Sequence, residues 1–180
     1  AVTYPQLRTL ELDFLRTATL FNISRTDFVD RARIMANFLA AIRRGIPSST
    51  RLGLRLPPNR RLLLELGITP SALHGIADYV VAGVDFFGFL ASDSEFAWLR
   101  AETSLPLYFE VAALVLRGRV GACRGGDEAM GSERLTAEQL TTVALDAFAN
   151  GADGISAFNF EYFRPLMSEV ASPCPTRPYS

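Results

Sequence analysis

Three acidic side chains and one arginine recur in a pattern that could do chemistry. Glu11 and Asp13 sit two apart in LRTLELDFLR (residues 7–16), Arg55 lies in RLGLRLP, and Glu110 lies in LPLYFEVAAL. Each stretch alternates charge with large apolar residues. Leu10, Leu12 and Phe14 oppose Glu11 and Asp13; Leu52, Leu54 and Leu56 oppose Gly53 and Arg55; Leu107, Phe109 and Val111 oppose Tyr108 and Glu110. A period of two is the signature of a strand with one oily face, so the charges of all three share the opposite face. Carboxylates gathered around an arginine are the groups of general acid–base catalysis, and also hard oxygen ligands suited to magnesium or calcium. Buried singly they would be costly; together, Arg55 can balance Asp13 or Glu110. Glu11, deeper in its strand, either pairs with Arg55 to fix strand register or meets a substrate. Arg16, past the strand end, is either a rim ligand or a solvated loop residue.

The elements that must position these groups read as strands alternating with helices. Strands are expected over 7–14, 51–56, 78–84, 106–113 and 153–160. A helix is expected over 26–44, with Phe28, Met35, Phe38, Leu39 and Ile42 at helical spacing and Arg31, Arg33 and Arg43 on the other side. Thr26 or Asp27 caps its start and Gly45 stops it. RRLLLELGI and PSALHGIA read as short helical pieces, and a polar helix covers 93–103. The last helix, 136–150, opens on a Thr136–Gln139 capping box and carries an apolar stripe of Leu140, Val143, Ala144, Ala147 and Phe148. Between them, residues 117–135 hold five glycines and read as a surface loop, not as a phosphate-binding turn.

Strand–helix alternation implies a parallel sheet with right-handed crossovers. An open doubly wound sheet is covered by helices on both faces and leaves no room for a charged one. In a (β/α)8 barrel the inner face at the C-terminal rim is where catalytic groups gather. The charge pattern therefore favours a parallel (β/α)8 TIM barrel. Such barrels typically need about 250 residues, so this chain of 180 would supply only strands four to eight. Residues 1–164 would form the C-terminal part of the barrel and 165–180 an irregular tail rich in Pro and Ser. The expected protein partner is the missing front of the barrel, or a further copy of the chain.

Composition narrows the chemistry. The chain contains no lysine, so Schiff-base catalysis by its own side chains is excluded. With one histidine, His74, and two cysteines, Cys123 and Cys174, a structural zinc site is not expected. His74 reads as a structural residue and the cysteines as free thiols. A formal net charge of -1 gives no general pull toward nucleic acid, and no run reaches the about 20 apolar residues of a membrane helix. No cofactor is expected. The chain opens on Ala1 with no visible leader, which leaves localisation open.

LELDFLR, Phe21, the helix RARIMANFL, LGLRLP and the later GADGISAFNF together resemble a group of bacterial glycoside-hydrolase-like TIM-barrel proteins of uncharacterised specificity. The likeness runs over residues 7–163. It implies a glycoside hydrolase acting on an oligo- or polysaccharide. Matched by position, Glu11, Asp13, Arg16, Arg55 and Asn159 fall on motif residues, and Glu110 on an acidic position of the penultimate strand. Glycosidases of this barrel type set their two carboxylates on the fourth and seventh strands, the places of Asp13 and Glu110, which makes these the expected acid and nucleophile or base. Glu11, Arg16, Arg55, Tyr108, Asn159 and Tyr162 would hold substrate. Trp98 and Phe158 join Tyr108 and Tyr162 as candidates for stacking on sugar, although Trp98 fits ordinary packing better. The segment TATLF stands where the group often has His-Pro, and Ser156–Ala157 replace a bulkier aromatic. The alternatives are a carbohydrate-binding barrel without catalysis and a metal enzyme ligated by Glu11, Asp13 and Glu110.

Overall fold

The computed structural model describes residues 7–15, 20–83, 93–112, 114–116, 132–134 and 136–158. In chain order the elements are β1 (Thr9–Asp13), α1 (Phe28–Gly45), β2 (Arg51–Leu56), α2 (Arg60–Leu66), a 3₁₀ turn (Pro70–Leu73), β3 (Tyr79–Ala82), α3 (Asp93–Glu102), β4 (Leu107–Ala112), β5 (Leu114–Leu116), β6 (Ser132–Arg134), α4 (Ala137–Ala149) and β7 (Gly154–Phe158). Five strands make one sheet in the order β1-β2-β3-β4-β7, all neighbours parallel. The sheet curls into a half-barrel. Sequential order with a helical crossover at each step is what the strand–helix alternation predicts. Among the described residues there are five strands of such a barrel, not eight.

Helix ends follow the local chemistry. Asp27, not Thr26, caps α1: its Oδ1 accepts the Asp30 N–H at 2.8 Å. The expected capping box of α4 forms, with the Thr136 N–H donating to Gln139 Oε1 at 2.9 Å and the Gln139 N–H to Thr136 Oγ1 at 3.2 Å. Asn59 Oδ1 caps α2 by accepting the Leu62 N–H at 3.0 Å.

The oily strand faces meet the helices. Leu54, Leu56, Val80, Ala82 and Leu107 form one core with Met35 and Leu39 of α1, Leu63 of α2, and Phe96 and Leu99 of α3. The strand leucines Leu52, Leu54, Leu56 and Leu107 are fully buried. At about 1.5–3 kcal/mol for each large apolar side chain buried, this layer dominates the stability of the sheet.

Three expectations are corrected here. Arg31 lies inside rather than on the outer face of α1: its Nε donates to the Leu64 carbonyl at 3.3 Å and its Nη1 to the Thr26 carbonyl, joining α1 to α2. Phe38, expected in the core, is 49% exposed: Met35 and Leu39, four residues apart, mark the buried line of α1, and Phe38 lies to one side of it. The stretch expected to be loop throughout holds β6, whose Glu133 pairs antiparallel with Val115 of β5. Three residues reading SER carry no strand propensity of their own; the ladder comes from the partner.

Arg16, Asn159 and Tyr162 lie outside the described residues, as do Cys123, Cys174 and the 165–180 tail. Among the described residues, no helix is long and apolar enough to cross a membrane.

Candidate functional site

Parallel pairing brings the charged positions into rows. Asp13 stands opposite Arg55, Arg55 opposite Val81, Val81 opposite Tyr108, and Tyr108 opposite Gly154. Glu110, one inward position further along β4, stands opposite Ser156. The first row thus runs from β1 to β7 across the whole inner face.

Arg55 is the hub. Its side chain is 5% exposed. Nη2 donates to Glu110 Oε1 at 2.6 Å and Nε donates to Glu110 Oε2, a two-pronged pairing that fixes both groups. Nη1 donates to Asp13 Oδ2 at 2.7 Å. The Phe158 ring, expected as a sugar-stacking candidate, lies against the guanidinium, 4.4 Å from Cζ to the ring centroid. Burial by itself disfavours the Arg55 charge, but the hydrogen bonds and charge of Glu110, with those of Asp13, outweigh it and raise the pKa above its ordinary value.

The two expected catalytic carboxylates are therefore brought together, through one guanidinium, in unlike settings. The Glu110 side chain is 2% exposed and each of its oxygens accepts from Arg55. Asp13 is 38% exposed at the C-terminal end of β1. Its Oδ1 accepts the Leu15 N–H at 2.9 Å and its Oδ2 faces Arg55, which leaves the remaining lone pairs toward the open side.

Glu11 is exposed on the same face and is not paired with Arg55 as one expectation had it. Instead, the Tyr79 hydroxyl donates to Glu11 Oε2 at 3.1 Å. Tyr79 reaches from β3 across β2 because residue 53 is glycine: a Cβ there would lie 2.1 Å from the Tyr79 ring. Gly154 gives Tyr108 the same freedom on the other side, since a Cβ would lie 2.7 Å from its ring. The two tyrosines meet edge-to-face, centroids 5.6 Å apart. Burial first, then the Glu11 charge and hydrogen bond, push the Tyr79 phenol up to about 12, against the lowering effect of Arg51. Arg51 stacks on that ring, its Cζ 5.0 Å from the centroid.

Tyr108 is thus on the inner face as expected. Trp98 packs against the helix-side core, with Arg60 over its ring at 5.9 Å, and does not reach the site. His74 is exposed just after the 3₁₀ turn. Sequence reasoning missed Tyr79 and the two glycines. A glycine inside the strand LGLR was the available signal, since such a glycine marks close approach by another group. Among the described residues no group of three or more His, Cys, Asp or Glu is arranged to hold a metal ion. Asp13 and Glu110 turn to Arg55 instead of to a common centre.

Fold and site together define a parallel α/β half-barrel with a carboxylate–arginine cluster on its inner face. No protein-family model matches the chain, and no curated protein matches it. Among solved structures it is similar to the spore cortex-lytic enzyme SleL of Bacillus cereus, with a TM-score of 0.57 and 15% sequence identity, covering 91% of this chain and 49% of that one. The chain spans about half of that neighbour's length, and the likeness at this identity is one of fold. That likeness agrees with the curled, partial barrel of parallel strands described above.

Proposed function

We propose that this chain is the carbohydrate-acting part of a glycoside-hydrolase-like (β/α)8 barrel, with strands four to eight of the barrel supplied by its five-stranded sheet. The substrate is an oligo- or polysaccharide and the reaction is hydrolysis of a glycosidic bond by the carboxylates of the inner face, Asp13 and Glu110. The observation that carries this reading is the Asp13–Arg55–Glu110 cluster on the inner face of the curled sheet, with Asp13 open at the C-terminal end of its strand. Glycoside hydrolysis asks for carboxyl groups in unlike environments, and these two differ in burial and in partners. The fold of SleL, a spore cortex-lytic enzyme, agrees with that class of chemistry.

Asp13 is the group within reach of substrate. Arg55 holds it in place, and Glu110 balances the guanidinium from below. Tyr108, and by the motif match Arg16, Asn159 and Tyr162, would line the sugar path. A second reading, a sugar-binding barrel without turnover, is favoured by one observation: both Glu110 oxygens are taken by Arg55. Incubating the protein with a panel of aryl glycosides and polysaccharides separates the two readings. Release of reducing ends is expected; glycan binding with no release over days would establish the binding module instead.

A further inference from the structure

The same construction occurs twice at the N-terminal ends of the strands. Asp78, just before β3, takes both backbone groups of Leu52 in β2. Its N–H donates to the Leu52 carbonyl at 2.8 Å, and its Oδ2 accepts the Leu52 N–H at 2.7 Å. Asp153, just before β7, treats Leu107 of β4 in the same way, with both bonds at 2.8 Å. Each carboxylate also meets an arginine from the last turn of a helix. Arg43 of α1 donates from Nη1 to Asp78 Oδ2 at 3.1 Å, and Arg100 of α3 from Nη1 to Asp153 Oδ2 at 2.8 Å. The second arm of each fork holds the turn that follows its helix. Arg43 Nη2 donates to the Pro47 and Thr50 carbonyls at 2.8 and 3.0 Å. Arg100 Nη2 donates to the Leu105 carbonyl at 3.0 Å and to that of Thr103.

We propose that Asp78 with Arg43, and Asp153 with Arg100, are the register latches of a repeated two-strand unit, and that they act as positioning residues for the Arg55–Glu110 pair at the other end of the strands. Two observations carry this. First, Arg55 lies three residues after the clasped Leu52, and Glu110 three after the clasped Leu107. The hydrogen-bonded row runs from Arg55 through Val81 to Tyr108, so Glu110 meets Arg55 from two residues further along β4. Strand tilt in a curled sheet produces such a stagger, and equal offsets from the two latches then bring the groups level. Second, each unit sets one tyrosine and one glycine directly after its latch, in opposite order. Gly53 and Tyr79 follow Leu52 and Asp78; Tyr108 and Gly154 follow Leu107 and Asp153. Within each unit the ring covers the glycine, where a Cβ would lie 2.1 Å from Tyr79 or 2.7 Å from Tyr108. Ring and carboxylate thus select the same register twice.

The pair depends on that register. A slip of one residue at the first latch would turn Arg55 onto the apolar face, and a slip of two would move it about 6.5–7 Å along its strand. The second latch sets β7, whose Phe158 ring lies 4.4 Å from the Arg55 guanidinium carbon. The latch ion pairs are partly exposed, with Asp78 at 43% and Asp153 at 53%, and contribute little to stability by themselves. Their weight lies in the backbone clasp: Leu52 and Leu107 are fully buried, so an N–H deprived of its carboxylate has no water to turn to.

Hydrogen exchange at the Arg55 Nε–H tests this by nitrogen-15 NMR, the signal being identified by its loss in Arg55→Met. Asp78→Ala orphans the Leu52 N–H, and exchange at Arg55 is expected to speed up by about 5–100-fold. Asp78→Asn keeps an acceptor oxygen and is expected to restore most of the protection. Asp153→Ala is expected to shift the same signal as the Phe158 ring moves. Leu63→Ala, a core substitution in α2 outside both latches, is the comparison at equal global stability in urea, and is expected to exchange more slowly than Asp78→Ala. Should Asp78→Ala not fold, Arg43→Met carries the same comparison with Leu63→Ala. Equal exchange in the latch and core variants would overturn the proposal, as would Asp78→Asn exchanging as fast as Asp78→Ala, or an Arg55 signal that no latch variant alters. No glycan enters the measurement, so its outcome is separate from that of the hydrolase reading.

Discussion

Replacing Arg55 by methionine removes three N–H donors at once, two from Glu110 and one from Asp13. The two ends are not worth the same. Asp13 is 38% exposed, so water screens that contact and it contributes about 0–1 kcal/mol. Glu110 is 2% exposed, and removing one partner from a buried ion pair costs about 3–5 kcal/mol. Arg55→Met is therefore expected to lose about 3–5 kcal/mol, nearly all of it at the Glu110 end. Glu110→Leu leaves a guanidinium that is 5% exposed without its two-pronged partner, and a comparable loss is expected. The double variant Arg55→Met/Glu110→Leu sets two apolar groups in the same space and should be less damaged than either single, since apolar replacements of buried ion pairs are often neutral. Urea unfolding followed by Trp98 fluorescence measures all four corners of the cycle, with a coupling of at least about 2 kcal/mol expected. Strictly additive losses, or a cost below about 1 kcal/mol for Arg55→Met, would refute the view that the buried pair holds the site.

Gly53→Ala places a Cβ where the Tyr79 ring lies, so a loss of about 1–3 kcal/mol in urea unfolding is expected, together with loss of the Tyr79–Glu11 bond seen by NMR. The pH dependence of stability follows from Tyr79. Its folded pKa, about 12, lies above the unfolded value of 10, so the folded state keeps a proton that the unfolded state releases. This contribution is complete below pH 10 and is lost as pH rises toward about 12; Tyr79→Phe is expected to flatten the stability profile in that window, checked by unfolding midpoints at stepped pH. Exposed apolar side chains gather on the helices at the two ends of the sheet, Ile34 and Phe38 on α1 and Leu145 and Phe148 on α4. The isolated chain is expected to self-associate through them, and Phe38→Glu with Phe148→Glu to reduce the sedimentation coefficient; an unchanged monomer in both cases would contradict this.

The sheet was legible because its two faces differ so sharply. Leu52, Leu54 and Leu56 alternate with Gly53 and Arg55, and the structure buries the leucines among helices while turning Arg55 to the charged side. Element ends were legible where a side chain caps the backbone, as at Asp27 and at the Thr136–Gln139 box. The meeting of Arg55 with Asp13 and Glu110 was also foreseeable, because three buried or half-buried charges on one face need one another. Partner choice among them was not. Whether Arg55 takes Glu11 or leaves it to Tyr79 depends on strand stagger and on the gap at Gly53, which a period of two does not encode. Arg31 shows the same limit: its place in the helical wheel points outward, yet two backbone carbonyls, of Thr26 and Leu64, make its burial favourable. Phe38 fails in the opposite direction, since it lies to one side of the buried line that Met35 and Leu39 mark on α1.

We propose Asp13 as the substrate-facing carboxylate of a carbohydrate hydrolase. Turnover of a hydrolysed glycan by the wild-type protein and by Asp13→Asn, at matched folding and concentration, tests it most directly. The variant is expected to keep its melting temperature within a few degrees, because Asp13 is partly exposed, and to lose turnover by at least about 10²-fold. Wild-type turnover in a folded Asp13→Asn variant would contradict it.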